Sequence, residues 1–186
     1  MKKYLIFFFI FFFNINVQSS SNQKIINHLE NINSLQFKFT QRIDNNNIEK
    51  GECIILYPKK IFCEYHDIYN KILVSNGKSL IINSDKIKNY YRYPLDKTPL
   101  NLILDKEYLI SKMNDTEKDE NYPFYHVFNF KHENSSIKVF FDKKNFDLIG
   151  WETKDIYQSL VQTFISDIKI NINLEEDIFL IENYIN

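Results

Sequence analysis

The sequence predicts a mainly β (α+β) domain: a single curved antiparallel sheet of about ten strands, with two or three short helices on one face. Three observations carry this. The stretch 51–83 holds four short runs rich in Ile, Leu, Val, Tyr and Cys, at 53–57, 61–66, 71–75 and 79–83. Turn residues separate them, Pro58 to Lys60, Asp67 to Asn70 and Asn76-Gly77, and Asn-Gly between apolar runs is the strongest short-range hairpin signal. Upstream, Leu35-Gln-Phe37-Lys-Phe39-Thr-Gln41-Arg-Ile43 alternates with period two and so makes a strand with one apolar face.

The chain begins with Lys2 and Lys3, an unbroken apolar run from Tyr4 to Phe13, and small residues around Val17-Gln18-Ser19. The run of about ten residues is half of what a membrane span needs, so 1–19 reads as a cleaved secretory signal and 20–186 as one domain. No cysteine stands near the cleavage point to take a lipid anchor. The formal charge of −1 becomes −3 once Lys2 and Lys3 are removed, which gives no reason to expect nucleic acid as a partner.

Residues 22–34 form an amphipathic helix, with Ile25, Ile26, Leu29 and Ile32 on one side. After the central meander a strand at 87–93 precedes a second helix, in which Thr98 serves as N-cap, Pro99 takes the first turn, and Leu100, Ile103 and Leu104 form the apolar side. The polar stretch 111–122 reads as a loop or frayed helix end. Strands resume at 124–130, 137–141, 148–154 and 159–173, and 178–181 is expected to close the sheet.

Cys53 and Cys63 enter an oxidising compartment and are able to pair in principle. A loop at Pro58–Lys60 sets Tyr57 opposite Ile61 and leaves the cysteines as diagonal neighbours. Their Cβ atoms would then be about 7 Å apart, against roughly 4 Å in a disulfide, so two buried thiols are expected.

The sequence carries no Gly-rich phosphate loop, no paired-cysteine zinc spacing and no Gly-x-Ser-x-Gly elbow. His28, His66, His126 and His132 are scattered, and Glu175-Glu176-Asp177 reads as a solvated turn, so neither an enzyme nor a metal or other cofactor is indicated. What stands out is surplus apolar surface. Alternation puts Phe37, Phe39, Cys53, Ile55, Tyr57, Ile61, Cys63 and Tyr65 on one face, with Leu80 and Ile82 of the later strand joining them. Yet Ile54, Leu56 and Phe62 on the opposite face are as apolar as their neighbours. Such a sheet needs two covers, or one cover and a binding role for the other face.

The segment Leu29-Glu-Asn-Ile-Asn-Ser-Leu-Gln-Phe-Lys-Phe-Thr-Gln41 resembles the opening of the periplasmic outer-membrane lipoprotein carrier family, LolA. Similar features follow in order: Gly51, Pro58, Cys-Glu-Tyr at 63–65, Ile72-Leu-Val-Ser-Asn-Gly-Lys78, Thr98-Pro99 before an apolar helix, Leu148-Ile-Gly-Trp151, Asp167 and Ile178-Phe179. The resemblance implies an incomplete antiparallel barrel whose concave apolar face takes the acyl chains of lipoproteins. Phe37, Phe39, Ile55, Tyr57, Ile61, Cys63, Leu80 and Ile82 would line it, and Ile25, Ile26, Leu29, Leu100, Ile103 and Leu104 would form a helical lid.

It implies also a monomeric periplasmic carrier that accepts acylated lipoproteins from an inner-membrane ABC transporter and passes them to an outer-membrane acceptor. The alternative is a related module that senses lipids or lipoproteins in envelope signalling; a lipid hydrolase lacks a visible nucleophile–base pair. Two departures stand out. The family commonly has Arg before the proline, tying lid to barrel, where this chain has Tyr57; either the latch is lost or a phenol hydrogen bond replaces it. An aromatic residue common two positions before Tyr65 is Cys63 here.

Overall fold

A computed structural model describes residues 21–185 apart from 45–46, 87–88, 117, 120–121, 133–134 and 156–157. The secretory signal expected at 1–19 lies outside the described residues. Among the described residues three α-helices, α1 (Ser21–Glu30), α2 (Leu100–Leu104) and α3 (Lys106–Met113), accompany eleven strands. The strands are β1 (Ser34–Ile43), β2 (Asn47–Leu56), β3 (Lys60–Tyr65), β4 (Ile72–Asn76), β5 (Ser79–Asn83), β6 (Tyr91–Pro94), β7 (Lys118–Asp119), β8 (Tyr125–His132), β9 (Ser135–Asp142), β10 (Leu148–Lys154) and β11 (Leu160–Ile170).

All strands join one antiparallel sheet in the order β6-β5-β4-β3-β2-β1-β11-β10-β9-β8-β7, which does not close on itself. The chain runs outward from β1 to β6 by hairpins, crosses through α2 and α3, and returns from β7 to the centre. There β11 pairs with β1, with Phe39 opposite Ile165 and Gln41 opposite Thr163.

The β2–β3 turn differs from the expected one by a single residue. Tyr57, Pro58 and Lys59 form it, with a cis Tyr57–Pro58 bond and Lys59 at φ 66°, so Lys60 belongs to β3 opposite Leu56. Every later pair shifts accordingly, and Cys53 stands directly opposite Cys63. The two form a disulfide with Cα atoms 4.1 Å apart, which corrects the expectation of free thiols. The β4–β5 hairpin is the expected one: Gly77 takes φ 94°, and the Asn76 side chain accepts from the backbone N–H of Lys78 and Ser79 at 3.1 and 3.0 Å.

Gly150 explains the Leu148–Trp151 segment. A register shift between Leu148 and Gly150 turns both Leu148 and Trp151 inward, and Gly150 sits at φ 156° with the Thr163 carbonyl where a Cβ would be, 2.3 Å away. Across it, on the outer face, the rings of Phe140 and Phe164 stack at 5.6 Å.

Two further expectations are corrected. Residues 178–181 do not extend the sheet; they span the junction at Leu180 between the 3-10 turns Glu176–Phe179 and Ile181–Tyr184, which lie against the outer face of β3 to β5. Ile181 packs there with outward-facing Val74 and Ile81, Tyr184 lies against Phe62 at 5.5 Å, and Lys60 pairs with Glu176 at 2.6 Å. The apolar outer positions of this half-sheet thus have a cover of their own. Thr98 does not cap α2; its hydroxyl donates to the Leu95 carbonyl at 2.8 Å and closes the preceding turn. The polar stretch 111–122 contains the end of α3 and the two-residue strand β7. Of the strand expected at 87–93, the observed element is β6, which starts at Tyr91.

Candidate functional site: an apolar inner face under three helices

The register stacks the inward side chains of β1 to β5 in layers. The first joins Leu35, Ile55, Ile61, Ser75 and Leu80; the second joins Phe37, Cys53, Cys63, Leu73 and Ile82. In the third, Phe39, Gly51 and Tyr65 are neighbours, and Phe39 meets Tyr65 edge-on with centroids 5.0 Å apart. A Cβ at Gly51 would lie 2.7 Å from the Phe39 ring, so the missing side chain is the seat of that ring.

The helices supply the other wall. Ile25, Ile26 and Leu29 of α1, Leu102, Ile103 and Leu104 of α2, and Leu109 and Met113 of α3 are buried in one cluster with Phe37, Phe39, Ile55, Ile61, Cys63 and Leu80. Tyr57 and Leu100 are half-buried against it, and Ile82 is half-buried beside Leu73. In this arrangement the helices' own side chains occupy the inner face.

Sequence reading missed the second half of the wall. Trp151, Phe128, Phe130, Phe141 and Ile165 belong to the same cluster, with Trp151 edge-on to Phe37 at 6.4 Å. The alternation in 128–130 and 137–141 was visible, but the β1–β11 pairing that brings those strands alongside Phe37 bridges more than a hundred residues. Of the histidines, His28 on α1 contacts Asp147 at 2.7 Å, His66 is exposed and His126 is buried on β8.

Beyond the Phe39–Tyr65 layer the inner face turns polar. The Thr163 hydroxyl donates to Gln41 at 3.2 Å, the Gln41 amide donates to Glu49 at 3.3 Å, and Lys71 donates to Glu49 at 2.5 Å. The Lys71 ammonium also lies 3.8 Å from the Tyr65 ring centroid. Burial first, then the nearby charges of Glu49 and Asp67, pushes the Tyr65 phenol well above its ordinary range. The apolar region therefore ends at a hydrogen-bonded rim.

At the opposite end, polar bonds tie the helices to one another and to the β2–β3 turn. The Tyr57 N–H donates to the Asn33 carbonyl at 2.9 Å and the Lys59 N–H to the Leu104 carbonyl at 3.0 Å. Lys59 pairs with Asp105 at 3.0 Å. Lys106, at the start of α3, donates to the Ile32 carbonyl at 2.7 Å and the Glu30 carbonyl at 3.3 Å, with its ammonium 5.6 Å from the Tyr57 ring.

Tyr57 makes no phenolic latch. Its hydroxyl is buried without a hydrogen-bond partner, and burial pushes its pKa well above the ordinary phenol value. The bonds to the carbonyls at the end of α1 and just after it come instead from Lys106, reaching down from the helical side.

An open antiparallel half-barrel whose apolar inner face is closed by short helices belongs to the binding and carrier class of folds. The chain itself belongs to the outer membrane lipoprotein carrier protein LolA family, whose sequence model matches residues 30–182. The fold is shared with an uncharacterised conserved protein from Thermus thermophilus, 11% identical, covering 85% of this chain and 91% of that one at a TM-score of 0.52. It is shared also with a DUF1329 family protein from Desulfovibrio piger, at 6% identity, 88% and 97% coverage and a TM-score of 0.50. A LolA superfamily protein from Nitrosomonas europaea is 11% identical over 89% of this chain and 100% of its own, at a TM-score of 0.49. No curated protein matches by sequence.

Proposed function

We propose that this protein is a periplasmic carrier that shields the acyl chains of lipoproteins between an inner-membrane releasing transporter and an outer-membrane acceptor. The observation that carries the reading is the inner face itself: a continuous apolar wall covered by three short helices rather than by a second sheet. Each methylene taken from water is worth about 0.8 kcal/mol, so a chain of ordinary length will not cross an aqueous space unshielded.

Cargo enters by displacing helix side chains from the inner face. The apolar area that the helices give up is replaced by acyl surface, so the exchange is nearly balanced, and loading and release both stay accessible. The polar ties at the Tyr57–Lys59 turn and Lys106 then set how often the helices open. Phe37, Phe39, Ile55, Ile61, Cys63, Leu80 and Ile82 form the wall, Tyr57 its end, and Ile25, Ile26, Leu29, Leu100, Ile103 and Leu104 the lid.

The test is mass spectrometry of the protein purified from its own envelope, followed by transfer of a bound triacylated lipopeptide to acceptor vesicles. Co-purified acylated peptides that move to the vesicles support the carrier. Binding without transfer would favour a lipid-sensing module, and no acylated species would remove the proposal.

A further inference from the structure

We infer that the Tyr57 hydroxyl is the group that recognises the ester carbonyl of an acyl chain held under the helices; this deepens the carrier reading and rests on it. The Tyr57 ring packs against the buried apolar cluster at the turn after β2, with the same inward parity as Cys53 and Ile55. Its backbone N–H is already used by the Asn33 carbonyl, but its hydroxyl is buried and unpaired. Leaving a buried donor unmade is unfavourable, and folded proteins do so rarely.

The polar groups around the turn are committed elsewhere. Lys106 donates to the carbonyls of Ile32 and Glu30, Lys59 pairs with Asp105, and the Lys59 carbonyl accepts from Ser75 at 3.1 Å. The cluster beside the ring consists of aliphatic chains, aromatic rings and the disulfide. What the hydroxyl lacks is an acceptor, and the surroundings admit one attached to an apolar body.

A hydrocarbon brings no acceptor, and a carboxylate would have to be stripped of its water beside a cation, Lys106, whose donors are already held by the Ile32 and Glu30 carbonyls. A neutral ester carbonyl brings a lone pair without a charge, so the phenol O–H donates to it. The six residue steps from Tyr57 back to Gly51 span about 20 Å along the strand, enough for a long acyl chain to lie extended between the turn and the Phe39–Tyr65 layer. The ester end sits at the turn and the methyl end points toward that layer. Ester-linked chains occur in both diacylglyceryl lipopeptides and phospholipids, and the recognition chemistry is the same for both.

The experiment is calorimetric titration of the full mature chain with four soluble short-chain probes. These are a diacylglyceryl-cysteine peptide, its dialkyl-ether analogue, a diester phospholipid and its diether analogue. The wild type should bind the ester lipopeptide about fivefold more tightly than the ether, the worth of one neutral hydrogen bond. Tyr57→Phe should bind the ether as well as the wild type does and lose the ester preference.

A second readout needs no ligand. Removing an orphaned hydroxyl should raise the Tm of the empty Tyr57→Phe protein by roughly 2–4 °C. An ester preference that survives in Tyr57→Phe, its absence from the wild type, or a lower Tm for the variant would each overturn the inference. An ester preference seen with the phospholipid alone would sustain it and overturn the lipoprotein-carrier reading. Failure of all four probes to bind would overturn both.

Discussion

Lys106→Met isolates the tie between α3 and the segment after α1. Methionine keeps the apolar stem that covers Tyr57 but deletes the ammonium that donates to the carbonyls of Ile32 and Glu30 at 2.7 and 3.3 Å. A hydrogen bond from a charged donor contributes about 1.5–3 kcal/mol, and the longer, exposed bond to Glu30 adds little. Taking the lower end for the part-buried bond to Ile32, the closed arrangement loses about 1.5 kcal/mol. That is roughly a tenfold rise in the open-to-closed ratio. Since the proposed cargo enters only the open form, affinity for an acylated lipopeptide should improve by up to the same factor. Hydrogen exchange of the amides of α1 and of residues 31–33 should quicken about tenfold, and Lys106→Arg should behave as wild type. Unchanged exchange and unchanged affinity in a folded Lys106→Met protein would show that these bonds do not hold the helices down.

Three other outcomes follow from the geometry. Gly51→Ala places a Cβ 2.7 Å from the Phe39 ring and 2.1 Å from the Glu64 carbonyl, so thermal melting should show a loss of about 1–3 kcal/mol. Alkylation of the native, unreduced protein should label no cysteine, and labelling of Cys53 and Cys63 should require reduction, since both are buried and paired. Burial works to raise the Glu152 carboxyl, but hydrogen bonds from Lys138 and Gln162 and the Lys138 charge outweigh it and hold the pKa below its ordinary 4.5. The stability this contributes is present above that value and lost as the pH falls through the lowered one. Lys138→Met should therefore flatten the acid limb of a stability–pH curve by a few tenths of a kcal/mol, small because the pair is partly exposed.

The hairpin half of the fold was legible because its signals are local. Alternation in 35–43 and turn chemistry at Asn76-Gly77 depend on neighbours within a few residues, and β1, β4 and β5 came out where those signals put them. The disulfide was lost to a single residue. Whether Lys60 belongs to the turn or to β3 decides which residue faces Cys63, and no periodic signal distinguishes the two choices. The central pairing of β1 with β11 was not legible at all, because alternation identifies a face but not its partner across the sheet. Without that pairing, Trp151, Phe128 and Phe141 could not be placed beside Phe37.

The apolar surplus on both faces of β2 to β5 posed the functional question, and the structure divides it. The outer face of β3 to β5 is covered by the chain's own 3-10 turns, where Ile181 lies on Val74 and Ile81 and Lys60 and Asn83 bind Glu176 and Tyr184. The inner face is covered by separate helices held by a few polar ties: Lys59 and Lys106 at the Tyr57–Lys59 end, and His28 with Asp147 and Tyr108 with the Lys131 carbonyl on the other half of the sheet. The two covers differ in a way that matters for exchange. A cover that buries its apolar side directly on the strands is a stopper for surplus surface. A cover hung from backbone carbonyls by Lys106 and the Tyr57–Lys59 turn exposes an apolar wall when those ties break, and closing it again restores the same burial whether or not an acyl chain has passed through. Severing the ties at that turn should therefore alter ligand exchange far more than severing Lys60 from Glu176, and comparing Lys106→Met with Lys60→Met in the same probe-binding assay decides which face carries the ligand.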